Sequence, residues 1–258
     1  MRFAVLLLLA GSLGCSDATQ TADSGCEKCA NDSGAPGDGG PGDGGPADSG
    51  PIDSAPGDGG PKSYSTNFLG VENPISENGV WTNGGTVGLD WQNVEKNGGF
   101  AFGTGTSAGY DDCIAHLNGF PANHFAQATV HVSANYTPPS SHEVELLVRF
   151  EITAHSARGY EINCGWNGAY SQIVRWNGAL NDFTYLNPTG PGFGALAEGD
   201  VIKATAVGST ITVYKNATQV MQVTDATWVD GNPGMGMFIR PNGTPKSYCY
   251  TSFSAGAL

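Results

Sequence analysis

Residues 198–225 read EGDVIKATAVGSTITVYKNATQVMQVTD, the clearest secondary-structure pattern in the chain. Alternating runs rich in β-branched residues, typical of strands, occupy positions 200–207, 210–215 and 219–224. Two short turns, Gly208-Ser209 and 216–218, join these runs into a meander. Because a three-stranded ribbon is marginally stable alone, a second layer must cover its apolar face. The stretch therefore predicts a β-sandwich.

The rest of the chain from residue 63 has the same two-residue periodicity. No run of eleven or more residues has clean helical periodicity, whereas short alternating runs bounded by Gly, Asn, Asp and Pro recur. The further predicted strands are residues 67–72, 86–94, 99–103, 110–115, 124–133, 142–154, 160–166, 170–176, 234–240 and 246–254. We therefore predict one all-β domain over residues 63–258, a two-sheet antiparallel sandwich.

The longest predicted strand, residues 142–154, has an apolar face and a charged face. Alternation places on the core side Val144, Leu146, Val148, Phe150 and Ile152. The opposite side carries Glu143, Glu145, Leu147, Arg149, Glu151 and Thr153. A sheet face with this many charged side chains is a candidate ligand surface. Its predicted residues, including those of neighbouring strands, are Glu145, Arg149, Glu151, Glu161, Asn163, Arg175 and Trp176.

A structural explanation of the same residues is also open. The arginines can pair with neighbouring glutamates across strands, and the tryptophans can fill the core. Further aromatic residues near predicted turns or strand ends are candidates for lining a groove: Trp81, Trp91, Trp228, Tyr170 and Tyr185.

The charge distribution disfavours nucleic acid as a partner. Residues 16–62 contain nine acids and two lysines, and residues 63–258 contain fifteen acids and eight bases, a net charge of about −7. Phosphate binding needs clustered Lys and Arg, and no such cluster is present.

The N-terminus resembles the signal peptide of a bacterial lipoprotein. Met1-Arg2 precedes a short apolar run, residues 3–10, and residues 10–15 resemble a lipobox that ends at Cys15. The pattern departs from the usual one because Ser12 stands where Leu is common, so ordinary signal cleavage is the alternative. The resemblance implies a signal peptide over residues 1–15, a lipid anchor on Cys15 as the membrane contact, and an outer-membrane location.

Residues 16–62 are predicted to be a disordered tether. Positions 37–61 consist of five consecutive pentapeptides, GDGGP, GDGGP, ADSGP, IDSAP and GDGGP, which have no apolar face to bury. At polyproline-like rise these residues reach at most ~75 Å. Cys26 and Cys29 in the tether fit a local disulfide better than a thioredoxin-type site, which needs a flanking strand and helix.

The motifs after Gly159 resemble the concanavalin A-like lectin/glucanase superfamily. They are Gly159-Tyr-Glu-Ile, Ile173-Val-Arg-Trp-Asn-Gly178, the 199–225 meander with Val213-Tyr-Lys-Asn216, and Gly234-Met-Gly-Met. The resemblance implies a jelly-roll sandwich whose members bind or cleave polysaccharides on the concave sheet face. These motifs are structural, so the functional part of the implication is analogy.

The catalytic patterns of two related enzyme groups are broken in this chain. Laminarinase-like members carry Glu-x-Asp-x-x-Glu, and here Glu143-Val-Glu145 is followed by Val148. Jelly-roll alginate lyases carry Gln-Ile/Val-His, and here Gln172-Ile-Val174 lacks the histidine. The sequence therefore favours a surface-anchored polysaccharide-binding domain over a glycan-cleaving enzyme or a purely structural envelope protein.

We expect no cofactor, and the histidine spacing matches no zinc motif. A structural calcium ion is the alternative, with Asp111-Asp112 as its candidate ligands. Three cysteines, Cys113, Cys164 and Cys249, fall in the predicted domain and leave three possible internal pairings open.

Overall fold

The computed structural model describes residues 62–104, 112–137, 142–187, 192–239 and 244–258, and most of these residues lie in strands. The first eight strands are β1 (Ser63–Thr66), β2 (Val71–Glu72), β3 (Trp81–Asn83), β4 (Val94–Asn97), β5 (Ala101–Gly103), β6 (Asp112–Leu117), β7 (His124–Val132) and β8 (Glu143–Thr153). The next eight are β9 (Ser156–Gly165), β10 (Ser171–Ala179), β11 (Phe183–Tyr185), β12 (Val201–Val207), β13 (Thr210–Lys215), β14 (Thr218–Thr224), β15 (Asn232–Phe238) and β16 (Tyr248–Ala257). One short helix, α1 (Gly84–Val87), and two 3₁₀ turns complete the described elements.

The strands form two antiparallel sheets. The nine-stranded sheet has the order β14-β13-β12-β7-β16-β5-β4-β2, and β1 also pairs with β16. The seven-stranded sheet has the order β11-β10-β9-β8-β15-β6-β3. The predicted all-β, two-sheet sandwich is confirmed. The predicted signal peptide, Cys15 and almost all of the predicted tether lie outside the described residues.

The predicted meander is present as β12, β13 and β14 at one edge of the nine-stranded sheet. Val207 pairs with Thr210 across the Gly208-Ser209 turn, as the sequence predicted. The second turn uses Asn216 and Ala217, both with positive φ, and Lys215 pairs with Thr218. The covering layer that this ribbon requires is the seven-stranded sheet.

The main core lies between the two sheets. The seven-stranded sheet contributes alternate residues such as Val144, Leu146 and Ile162, all with no exposed surface. The nine-stranded sheet contributes residues such as Ala126 and Ile202. A second, smaller cluster lies on the outer face of the seven-stranded sheet: Leu89, Trp91, Ile114, Leu147, Phe150, Ile152, Ala157, Val174 and Trp176. The seven-stranded sheet is therefore buried on both faces over part of its area.

The predicted strand over residues 86–94 is wrong. The chain forms α1 there, turns at Gly88 with φ of +82°, and then inserts Leu89 and Trp91 into the second cluster. Leu89 and Trp91 are apolar at alternate positions because both side chains pack on the sheet that this segment covers, and the segment itself is not a strand. The predicted strand over residues 67–72 is also shortened to the two residues of β2.

A β-bulge interrupts the pairing of β8 with β9. The register shifts between Val148 and Glu151, and Arg149 has a φ of +51°. The extra residue reverses the side-chain alternation beyond it. Phe150 and Ile152, predicted to face the main core, lie instead in the second cluster on the outer face.

The cysteines of the domain are buried. Cys164 and Cys249 are free thiols, and each of the three pairings that the sequence left open involves at least one of them. Burial raises the pKa of Cys249 to about 12. The described residues contain no helix with the length and hydropathy needed to cross a bilayer.

Candidate functional site

A cleft of about 340 Å³ opens on the outer face of the seven-stranded sheet, beside the second cluster. We call it the cleft. Its lining combines acidic, amide and aromatic side chains: Asp112, Glu143, Glu161, Asn163, Tyr170, Gln172, Val174, Trp176, Phe183, Tyr185 and Phe238.

Strand alternation and register bring these side chains together. Glu145 of β8 pairs with Asn163 of β9, which in turn pairs with Gln172 of β10. Two residues along, Glu161 pairs with Val174. Paired residues project from the same face, so each strand adds one row to the cleft.

Three glutamates form a compact cluster in this region. One carboxylate oxygen each from Glu143, Glu145 and Glu161 lie within 4.8 Å of one another. Burial, reinforced by the charge of Glu143, raises the pKa of Glu161 to about 8. Burial and the neighbouring Glu161 raise the pKa of Glu145 well above its ordinary value. Like charges held out of water favour the protonated forms, so at neutral pH this cluster carries protons in the absence of a cation.

Hydrogen bonds fix the orientation of two of these carboxyl groups. The indole Nε1 of Trp176 donates to Glu161 Oε2 at 2.6 Å. The hydroxyl of Tyr170 donates to Glu143 Oε1. Each glutamate therefore retains one further carboxylate oxygen that these two bonds do not use.

An aromatic row flanks the acids. The rings of Trp176 and Phe183 lie 5.1 Å apart, and those of Phe183 and Tyr185 lie 5.3 Å apart. Trp91 packs against the other side of Trp176 at 4.6 Å. Tyr185 is 45% exposed, so the row runs from the buried second cluster out to solvent.

The structure brings four of the seven predicted ligand-binding residues to this region. Glu161, Asn163 and Trp176 line the cleft, and Glu145 lies in the glutamate cluster with no exposed surface. Their role in binding stays a prediction.

The predicted position of Arg149 on this face is wrong. The bulge turns its side chain to the opposite side, where it is 1% exposed. Its guanidinium donates to the carbonyl oxygens of Ala122 and Trp228 at 2.9 and 3.1 Å. Glu151, which lies beyond the same bulge, pairs with Arg158 of β9 and is also away from the cleft.

The predicted position of Arg175 is wrong for a different reason. Trp176 faces the cleft, so its neighbour Arg175 faces the other way. The Arg175 guanidinium contacts Asp225 Oδ2 at 2.5 Å and Thr227 Oγ1 at 2.8 Å. It stabilises the segment that follows β14 and does not contact the cleft.

Five cleft residues were absent from the predicted ligand, groove and calcium candidates: Glu143, Gln172, Val174, Phe183 and Phe238. Glu143 and Gln172 carry a signal in the sequence, because they share strand parity with Glu145 and Trp176. Phe183 belongs to the three-residue strand β11, which has too few positions for a periodic pattern.

The other aromatic candidates divide between the cleft and the interior. Tyr170 and Tyr185 line the cleft, whereas Trp81 and Trp91 are 6% and 2% exposed. Trp228 donates its Nε1 to the carbonyl oxygen of Trp176 at 2.8 Å. Of the calcium candidates, Asp112 lines the cleft and Asp111 lies outside the described residues.

Comparison with known proteins identifies the fold. No protein-family model matches the chain, and no curated protein matches it. Among solved structures, one described with endo-acting O-glycanases that members of the human gut microbiota express to initiate mucin breakdown gives a TM-score of 0.51. The sequence identity is 10%, over 76% of this chain and 98% of that chain.

Two further structures are similar at lower scores. The carbohydrate-binding module CBM66 from Bacillus subtilis gives a TM-score of 0.43 at 10% identity, covering 73% of this chain and 96% of that one. A Bacillus licheniformis β-glucanase gives 0.47 at 14% identity, covering 76% and 98%. The concanavalin A-like jelly-roll fold that the sequence resemblance implied is confirmed.

Proposed function

We propose that this domain binds a polysaccharide or other glycan in the cleft. The observation that carries the proposal is the row of Trp176, Phe183 and Tyr185 beside the polar groups of Asn163 and Gln172. Aromatic faces pack against the C–H faces of sugar rings, while amides and carboxyls bind their hydroxyls. The fold's solved neighbours include carbohydrate-binding and glycan-cleaving proteins, which agrees with a glycan partner.

Affinity electrophoresis of the full chain against neutral and uronic polysaccharides tests this proposal. We expect at least one polysaccharide to retard the protein and Tyr185→Ala to reduce the retardation by about tenfold in affinity, because Tyr185 is the exposed end of the row. Tyr214→Ala is the matched control, since Tyr214 lies in a separate depression formed by β12 and β13 of the nine-stranded sheet. Equal losses in both variants would contradict a site in the cleft.

Glycan cleavage is the second candidate function, and one observation favours it. Glu161 holds a proton at neutral pH beside Glu143, an arrangement suited to a general acid and a second carboxylate. Analysis of products after incubation with a retained polysaccharide separates cleavage from binding. Chain shortening that Glu161→Gln abolishes would support cleavage, and unchanged chain length would leave binding alone.

A lipid anchor on Cys15 remains part of the proposal. It would place the glycan-binding domain at the bacterial outer membrane through the tether of residues 16–62. Labelling with a radioactive fatty acid in a bacterial host tests it, because Cys15→Ala should abolish incorporation. If no polysaccharide retards the protein, a structural or adhesive envelope role replaces glycan binding.

A further inference from the structure

We propose that Glu143, Glu145 and Glu161 form a binding site for a divalent cation of the Ca²⁺ type at the base of the cleft. The site goes beyond glycan binding and does not depend on it. Its first support is geometric, because β8 alternation places Glu143 and Glu145 on one face and β9 places Glu161 diagonally opposite. One oxygen from each carboxylate lies within 4.8 Å of the others.

A second, independent observation concerns Glu145. Its side chain has no exposed surface, and neither carboxylate oxygen has a hydrogen-bond partner among the described residues. The carboxylate is pressed against Gly236, where an added Cβ would lie 2.2 Å from Oε2. A buried carboxyl without a hydrogen bond is costly, and a bound cation would compensate it.

No basic side chain supplies that compensation in the part of the chain that is described. The ion pairs there involve neither Glu145 nor Glu161. Glu161 Oε2 accepts a hydrogen bond from the indole of Trp176, which is a neutral donor. Neither Glu145 nor Glu161 therefore has a basic partner among the described residues.

The donor chemistry and spacing favour Ca²⁺. Carboxylate oxygens are hard ligands, which select Ca²⁺ or Mg²⁺ over softer metals. Calcium–oxygen distances of about 2.3–2.6 Å allow one ion to join oxygens up to roughly 5 Å apart, whereas about 2.1 Å for Mg²⁺ allows roughly 4 Å. A cluster spread over as much as 4.8 Å fits the larger ion.

The surroundings offer further ligands. The Oδ1 atom of Asn163 is buried and has no hydrogen-bond partner among the described residues. Asp112 lines the same cleft, and the open side of the cleft admits water. Ca²⁺ takes six to eight oxygens, so amide, carboxylate and water oxygens can complete the shell.

Isothermal titration calorimetry of the full chain with CaCl₂ tests the site. We expect one saturable Ca²⁺ per chain, and at least tenfold weaker binding in Glu145→Gln, which retains side-chain volume but removes the charge. Glu151→Gln is the matched control, because Glu151 is on the same strand but outside the cluster. Ca²⁺ should also raise the melting temperature of the wild type and of Glu151→Gln, but not of Glu145→Gln.

The proposal fails if the wild type shows no saturable binding, or if Glu145→Gln binds Ca²⁺ as the wild type does. The second result would place the ion elsewhere in this acidic chain. If Glu145→Gln does not fold, Glu143→Gln at the partly exposed edge of the cluster replaces it with the same expectation. Calcium binding is measured without any glycan, so its failure and the failure of glycan binding are distinguishable.

Discussion

His124 and Arg149 connect the two sheets through a buried contact. The Nε2 atom of His124 accepts a hydrogen bond from the backbone amide of Arg149 at 3.0 Å, and its Nδ1 lies 2.7 Å from the carbonyl oxygen of Pro121. The first bond requires an unprotonated Nε2, so the imidazole is neutral with its proton on Nδ1. Burial, assisted by the charge of Arg149, lowers the pKa of His124 to about 4.

This histidine predicts a loss of stability in mild acid. In the unfolded chain its pKa is about 6.5, so the unfolded state binds more protons between pH 6.5 and 4, and the free energy of unfolding falls as pH falls through that window. The shift corresponds to about 3 kcal/mol. Urea denaturation at pH 7.5 and 4.5 measures it, with His124→Gln as the reference because its amide oxygen can accept the Arg149 amide.

Wild type and His124→Gln should therefore converge in stability on acidification. The difference between them isolates the histidine from the glutamates, whose protonation contributes equally to both proteins. If the urea midpoints of the wild type and His124→Gln differed by the same amount at both pH values, the result would contradict a neutral buried imidazole.

Arg175 is predicted to be a structural residue. Its guanidinium contacts Asp225, Thr227, Asn177 and Thr184, and both members of the Arg175–Asp225 pair are mostly buried. Arg175→Ala should lower the free energy of unfolding by about 2 kcal/mol and leave glycan affinity unchanged. Denaturation and affinity electrophoresis measure the two effects.

The control is Arg158→Ala, which removes a more exposed ion pair with Asp230 and should cost less than about 1 kcal/mol. If Arg175→Ala instead weakened glycan binding without loss of stability, Arg175 would belong to the ligand site after all.

At the scale of elements, the β8 bulge determines which side chains reach the cleft. Glycines on both sides make room for it: an added Cβ at Gly159 would lie 2.5 Å from the Arg149 oxygen, and one at Gly231 would lie 2.3 Å from the Arg149 carbonyl carbon. Both have φ above +120°, a region that L side chains rarely adopt. The bulge is thus specified by three positions that are distant in sequence.

Gly231→Ala should therefore be strongly destabilising. We expect a loss of about 3 kcal/mol or more, because the clash is with backbone and cannot be relieved by a rotamer change. Gly208→Ala is the control, because the φ of Gly208 is +56° and no atom lies within 4 Å of the added Cβ. We expect this variant to lose about 1 kcal/mol in free energy of unfolding, from the left-handed backbone conformation alone. Similar losses in thermal denaturation of the two variants would contradict the role of the bulge.

The bulge also marks the limit of what the sequence alone predicts. Alternation places Glu145, Glu161 and Asn163 correctly, because each lies on an uninterrupted strand segment, whereas Trp176 was a candidate because it lies near a strand end. It fails from Arg149 onward, since a bulge depends on glycines brought close only by folding. Arg175 and Trp176 were both predicted to bind the ligand. Adjacent residues of a strand point to opposite faces, so the sequence alone could have excluded one of the two.

At the scale of the whole molecule, the two sheets differ in what covers their faces. The nine-stranded sheet closes the main core, and its meander was predictable because local turns fix its register. The seven-stranded sheet is packed on its inner face and partly covered on its outer face by the segment that carries Leu89 and Trp91. The segment that carries these two residues has a strand-like pattern, so only the folded chain shows that it covers a sheet and bounds the cleft.

The domain boundary near residue 62 leads to a last prediction. Residues 62–258 expressed alone should melt within about 2 °C of the full chain, because β1 (Ser63–Thr66) is the first described strand and pairs with β16. Residues 67–258 are the control: they lose β1 and the contact of Tyr64 with Trp81, and should melt about 5–10 °C lower. Calorimetry measures all three proteins. If residues 62–258 melted as low as the control, the first 61 residues would be part of the folded unit rather than a tether.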